Sequence, residues 1–296
     1  MSIPGPAVRG LLLHISHYDP VWCENKETEG PFDLNAAFEI VDALSDHGFN
    51  TLVVDVADGV KFKSHPELKR PYSVNMDQLR MLAEYAQLSG IDVVPKLNFA
   101  ISGRNLHDQW MRPYASLRNF LQKIDKYWKV AADLIKELVK VCEPERYFHI
   151  GMDEDHLRSL EQYVDAIRKL RAIIKGHKLR TVIWNDSCHY KKTKIAQVHA
   201  DKCRAAEDFL PKDITQVLWD YSAVHPSIVK RIAGKGFKVW AAPGHTPDMV
   251  KKWRRAVMAN GGSGLLMTYW AKCDQANLPA ILKLIKTCGV EYGTDA

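Results

Sequence analysis

The chain of 296 residues holds no apolar run close to the roughly 20 residues that cross a bilayer, so no membrane partner is expected. Its first ten residues, MSIPGPAVRG, lack the basic start and apolar core of a signal peptide. A cytoplasmic location follows, a leader removed beforehand aside. The six cysteines (Cys23, Cys142, Cys188, Cys203, Cys273 and Cys288) form no CxxC pair and no zinc-site spacing, which points to reduced thiols. There is no long basic run and no glycine-arginine tract. The net charge of +6 comes from interspersed charges, so nucleic acid is not an expected partner. Internal repeats and low-complexity linkers are missing as well. The first apolar run is followed by HISHYDP rather than a glycine-rich phosphate loop, and nothing implies a cofactor. The oligomeric state stays open.

What is present is a regular alternation. Hydrophobic residues make up 46% of the chain, enough for a large core. Short apolar runs at 10–16, 51–57, 91–97, 146–151, 180–185, 214–219, 236–241 and 263–269 read as strands. Amphipathic segments at 34–47, 75–89, 116–142, 156–175, 192–209, 225–234, 247–259 and 276–287 read as helices. Gly48, Gly90 and Pro144 supply stops, and Asn75 is an N-cap candidate. Strands that are apolar throughout and alternate with helices imply a parallel sheet covered by helices. Eight such pairs in one chain fit a single-domain (β/α)8 TIM barrel over residues 1–296. A doubly wound open sheet is the competing architecture.

A barrel brings the C-terminal ends of its strands to one cavity, where barrel enzymes carry their chemistry. Those ends deliver His14, His17, Tyr18 and Asp19 from the first strand and Asp55 and Asp58 from the second. The third gives Lys96 and Asn98, and the fifth Trp184, Asn185 and Asp186. Trp219, Asp220 and Tyr221 follow from the sixth, Trp240 and His245 from the seventh, and Tyr269, Trp270 and Lys272 from the eighth. Ring faces that stack on a pyranose, beside groups that read hydroxyls, suit a carbohydrate. The fourth strand ends in RYFHIGMDEDH (146–156), with Asp153, Glu154 and Asp155 side by side. Adjacent carboxylates repel, so such a cluster rarely serves stability. A structural reading needs a basic partner such as Arg158; a catalytic one keeps one acid protonated and the other ionised. Asp155 is expected to face solvent or cap the next helix, and His149 to be a buried, hydrogen-bonded histidine. His14 and His17 with Asp55 or Asp58 lack a compact ligand motif, and no metal is expected there.

The apolar-His-Ile-Gly-x-Asp-Glu pattern at 148–154 resembles the signature of glycoside hydrolase family 20, the β-N-acetylhexosaminidases. RGLLLHISHYD (9–19), NTLVVDVADG (50–59), MDQLRMLAEYAQLSGIDVVPKLNFA (76–100), TVIWND (181–186), QVLW (216–219) and GGSGLLMTYW (261–270) are similar to further segments of that family in the same order. The resemblance implies a hydrolase that removes terminal N-acetylhexosamine from a glycan by a retaining, substrate-assisted mechanism. Glu154 would be the general acid, and Asp153 would orient and stabilise the substrate's 2-acetamido group, which itself attacks the anomeric carbon. Substrate contacts would come from His14, His17, Asp58, Asn98, Trp184, Asp186, Trp219, Tyr221, Tyr269, Trp270 and Lys272. Tyr269 and Tyr221 are alternatives for the donor to the acetamido oxygen.

The chain also departs from the family pattern. His17 stands where an arginine is usual, Asp55 where a histidine is, and Met152 replaces a common glycine. Lys96 and Asn98 stand for the Glu and Asp of the third strand, and Lys272 for an acid after the last-strand tryptophan. The acid pair is kept while the hydroxyl-reading set differs. An anionic sugar held by Lys96 and Lys272 would suit that change. Two readings compete with the hydrolase: a barrel glycosidase of other specificity, and a glycan-binding barrel without turnover.

Overall fold

The computed structural model describes residues 5–16, 29–101, 124–190 and 193–292. The apolar runs form β1 (Val8–His14), β2 (Thr51–Asp55), β5 (Asp92–Lys96), β6 (Tyr147–His149), β7 (Arg180–Asn185), β8 (Thr215–Trp219), β9 (Lys238–Ala242) and β10 (Gly264–Lys272). These close into one parallel barrel in the order β1-β10-β9-β8-β7-β6-β5-β2. Two short strands inside the loop after β2, β3 (Val60–Lys61) and β4 (Val74–Asn75), pair separately. At two residues each they are too short to leave a period in the sequence.

Among the described residues eight α-helices follow: α1 (Leu34–Asp46), α2 (Met76–Leu88), α3 (Ile124–Cys142), α4 (Leu160–Gly176), α5 (Lys194–Ala206), α6 (Pro226–Gly234), α7 (Pro247–Ala259) and α8 (Leu278–Tyr292). The fold is thus the (β/α)8 barrel. The stretch 116–123, expected to begin the third helix, lies outside the described residues. Asp33 caps α1 by accepting from the Ala36 amide at 3.0 Å, and Ser159 with Gln162 forms a capping box on α4. Asn75 stands at the N-cap of α2, but its side chain makes no cap bond. Gly48 and Gly90 end their helices at positive φ, as expected of glycine there.

Two layers of packing position the site. The outward faces of the strands and the inward faces of the helices share a large core. Inside the barrel a second cluster runs from Val8 and Tyr147 to Trp184, Trp240 and Leu266, with Trp219 and Trp270 packed on it. Tyr147 meets Trp240 edge-on at 5.0 Å, and His149 lies 4.7 Å from Trp184. The barrel is therefore a filled column with aromatic rings at its top. β10 is irregular against β1: Leu12 faces Thr268 and His14 faces Lys272, so Tyr269, Trp270 and Ala271 stand opposite Leu13 alone. Such a bulge re-aims side chains, and here it presents Tyr269 and Trp270 at the mouth, both partly buried.

Candidate active site

β6 ends at His149, and the chain then turns sharply. Gly151, Met152 and Glu154 all have positive φ (69°, 79° and 49°), a region that side-chain-bearing residues rarely enter. A Cβ on Gly151 would sit 2.2 Å from Asn98 Oδ1, so only glycine fits. Asn98 pins this turn from the end of the neighbouring strand. Its Oδ1 accepts from the Met152 and Ala100 amides, each at 3.0 Å, and its Nδ2 donates to Asp153 Oδ1 at 2.7 Å. Gly151→Ala is therefore expected to cost about 1–2 kcal/mol in backbone conformation alone. The clash with Asn98 adds to that and frees Asp153. Chemical denaturation measures the loss; unchanged stability would show that the turn is not held this way.

The three consecutive acids occupy three environments. Asp153 is 5% exposed, while Glu154 is only partly buried at the mouth. Asp155 is 1% exposed, which corrects the expectation that it faces solvent or caps a helix. It forms a buried ion pair with Arg158, accepts from the Ile101 amide at 3.0 Å, and has Lys202 Nζ at 3.4 Å. The basic partner that a structural reading requires thus lies beside Asp155. Arg158 also donates to the Phe99 carbonyl at 2.9 Å, tying the turn after β6 to the segment after β5. Arg158→Met should destabilise the fold by up to about 3–5 kcal/mol, the cost of breaking a buried ion pair, with Lys202 Nζ at 3.4 Å offsetting part of the loss. Urea unfolding is the check, and a loss below about 1 kcal/mol, as for an exposed pair, would contradict the assignment.

His149 is buried as expected. Its Nδ1 accepts from the Gly151 amide at 3.0 Å. Burial, then Lys96, hold its pKa well below the ordinary histidine value, against the pull of Asp55. It is neutral and helps shape the turn. Below the mouth lies a buried charge cluster formed by His14, Asp55 and Lys96. Lys96 Nζ is 2.5 Å from Asp55 Oδ2, and His14 Nδ1 is 3.3 Å from the same oxygen. Burial would raise the Asp55 carboxyl, but Lys96 and His14 together hold it well below the usual carboxylate range. The His14 ring also packs 4.9 Å from that of Trp270, which places His14 at the mouth's edge.

The remaining sequence-predicted residues are placed in several settings. At the mouth stand Trp219, Tyr221, Tyr269 and Trp270 with the acid pair. Trp270 Nε1 donates to the Tyr221 hydroxyl at 3.0 Å, and the Tyr221 ring lies 5.7 Å from that of Trp219. Tyr269 instead packs edge-on against His245, 5.3 Å between centroids. Trp184, expected to touch substrate, is 2% exposed and lies in the barrel interior on His149, as part of the floor.

Asn98, also expected to touch substrate, is bonded to the turn as above, and three further polar residues with that expectation are engaged by the protein. Asp58 accepts from Ser16 and Tyr72, each at 2.8 Å, and has Arg70 Nε at 3.5 Å; it organises the loop after β2 rather than reading a sugar. Lys272 donates to the Gly30 carbonyl at 2.8 Å and lies 3.6 Å from Asp274, so it anchors the segment before α1. With Lys96 paired to Asp55, neither lysine carries uncommitted charge for an anionic sugar, and that expectation loses its footing. Asp186, 2% exposed, accepts from the Glu154 amide at 2.8 Å and from Trp219 Nε1 at 2.9 Å. Burial, then Asp153, push its pKa up to about 7 against those two bonds.

His17 lies outside the described residues. The Asp55–Lys96 pair had a sequence signal, since opposite charges end two strands that pair in register. Asp155–Arg158 had one in its three-residue spacing; the partners of Asp58 and Lys272 had none. Among the described residues no group of three or more His, Cys, Asp or Glu side chains is placed to hold a metal, and no helix is long and apolar enough to cross a membrane. The five described cysteines are free and buried.

No family model matches the sequence, and no curated protein matches it. Solved structures do match in fold. The family 20 β-N-acetylhexosaminidase of Streptomyces coelicolor A3(2) superposes with a TM-score of 0.70 at 15% identity, over 99% of this chain and 65% of that one. An exo-β-N-acetylglucosaminidase of the same family from Vibrio harveyi, in complex with N-acetylglucosamine, gives 0.66 at 12% identity, over 99% of this chain and 55% of that one. Dispersin B gives 0.58 at 16% identity, over 98% of this chain and all of its own. The chain therefore shares its fold with glycoside hydrolase family 20, and it spans 65% and 55% of the first two of these relatives.

Proposed function

We propose that this chain is a glycoside hydrolase that removes terminal β-linked N-acetylhexosamine from glycans by a retaining, substrate-assisted route. One observation carries the reading. Two adjacent carboxylates stand at the mouth of a barrel with the family 20 fold, one shielded and fixed by Asn98, the other partly exposed. Asp153 and Glu154 point their roles apart by environment, which is what a site using two carboxyl groups for different tasks requires. Glu154 gives its proton to the glycosidic oxygen. Asp153, kept in place by the Asn98 amide, takes the N–H of the acetamido group and stabilises the positive charge that develops as its carbonyl attacks the anomeric carbon. Water then opens the cyclic intermediate, with Glu154 returning as base, so the product keeps the β configuration.

Trp219 and Trp270 supply ring faces for the sugar. Tyr221 is the better placed of the two tyrosines to donate to the acetamido oxygen, because its hydroxyl meets Trp270 and its ring Trp219, the two platforms of the site, while Tyr269 packs on His245. The sugar is neutral on this reading, since Lys96 and Lys272 are committed to Asp55 and to Gly30.

The test is the anomeric configuration of the first product formed from an aryl β-N-acetylglucosaminide, followed by proton NMR. A β anomer appearing first supports the substrate-assisted route; an α anomer first means direct attack by water and removes it. A second reading draws on Lys272 standing where the family carries an acid: a barrel that binds glycan without turnover. Saturable binding of N-acetylglucosamine by a wild type that hydrolyses nothing would favour it.

A further inference from the structure

Glu154 has a backbone conformation that does not hold itself. Its φ of 49° follows two further residues of positive φ, Gly151 and Met152. A general acid contributes only when its proton lies within reach of the leaving oxygen, so something must fix this residue. Asn98 fixes Met152 and Asp153. The Glu154 amide is fixed from the next strand over, by Asp186 at the start of the short 3-10 turn Asp186–His189. The second oxygen of the same carboxylate receives the indole N–H of Trp219, at the end of β8. His189, from the same turn, packs edge-on against Trp219 at 3.7 Å, and its Nε2 is 2.9 Å from the Trp219 carbonyl oxygen. One buried carboxylate after β7 thus joins the tip of β6, which carries the acid, to the tip of β8, which carries a ring of the sugar pocket.

We infer that Asp186 is a positioning residue, a two-ended bridge that sets Glu154 against Trp219 so that acid and sugar platform keep one geometry. The inference rests on the hydrolase reading above. It moves Asp186 from the sugar-reading group to the support of the acid. The chemistry of the bridge requires a carboxylate. Both of its partners are N–H donors, and a carboxylate offers an acceptor to each. Asparagine offers one acceptor and one donor, so Asp186→Asn must turn an N–H toward another N–H at one end.

The experiment compares wild type with Asp186→Asn on aryl β-N-acetylglucosaminides of poor and good leaving groups. It also follows the Trp219 indole N–H in a proton–nitrogen correlation spectrum, with Trp219→Phe identifying the resonance. The expected result is a kcat loss of about 10–100-fold on the poor leaving group, the scale of a misplaced catalytic group. The loss on the good leaving group is a few-fold at most, KM changes little, and the indole resonance shifts. Equal losses on both substrates overturn the inference, since a merely less folded enzyme loses both alike. An unmoved indole resonance overturns it as well. Should wild type turn over neither substrate, the hydrolase reading itself fails and takes the catalytic half of the inference with it. The resonance still reports then, independently of turnover, whether the bridge exists.

Discussion

Glu154→Gln should lower turnover of N-acetylhexosaminides with poor leaving groups by about 10²–10⁴-fold, the usual contribution of general acid catalysis. The substitution keeps the size of the side chain and removes the proton it can give. It leaves the backbone amide that Asp186 receives at 2.8 Å untouched. The turn at 151–154 should therefore persist, and KM should move little. Aryl groups that depart as stable anions need no proton, so their release should fall far less. That dependence on the leaving group separates loss of an acid from loss of a binding contact. A uniform loss across leaving groups would place the acid elsewhere.

Asp153→Asn is expected to have the second large effect, about 10²–10³-fold on N-acetylated substrates, the cost of removing one preorganised electrostatic contact at a site of developing charge. The neutral side chain still offers an oxygen to the Asn98 amide, which lies 2.7 Å from Asp153 Oδ1. Geometry is kept and charge is lost. Plain glycosides without the acetamido group do not develop charge there, so their slow hydrolysis should hardly change. Parallel rates on N-acetylglucosaminide and glucoside with one aryl group are the measurement. Equal loss on both would sink the acetamido role and leave Asp153 as a structural group.

Much of the fold could be read from the chain because a parallel barrel repeats a simple unit. Each buried strand is apolar throughout and each helix has one apolar face, so period and composition suffice. Boundaries moved where a side-chain contact decided them. α4 begins at Leu160, after the Asp155–Arg158 pair and the Ser159 cap, later than periodicity suggests. β3 and β4 escaped because a two-residue strand has no pattern.

The site was legible in part, and for a physical reason. Sequence shows which residues stand at strand ends but not what lies opposite them. Asp153, Glu154, Asn98, Trp219, Tyr221 and Trp270 gather as the strand order implies. Asp58, Lys272 and Asp186 stand at the same ends, yet bond to protein groups distant in sequence: Tyr72 for Asp58, Gly30 for Lys272, Trp219 for Asp186. Arg158 was legible as a basic partner three residues on, but not that Lys202 joins it in a buried cluster on Asp155. A strained turn with a glycine that only Asn98 explains is likewise invisible before the fold is known.

Release of the aryl group from β-N-acetylglucosaminide and β-N-acetylgalactosaminide, with wild type beside Glu154→Gln, tests the central claim most directly. Wild type is expected to turn over at least one of the two sugars, with turnover collapsing in the variant on the poorer leaving group. A well-folded wild type that releases nothing from either sugar, or a variant as active as wild type, would contradict it.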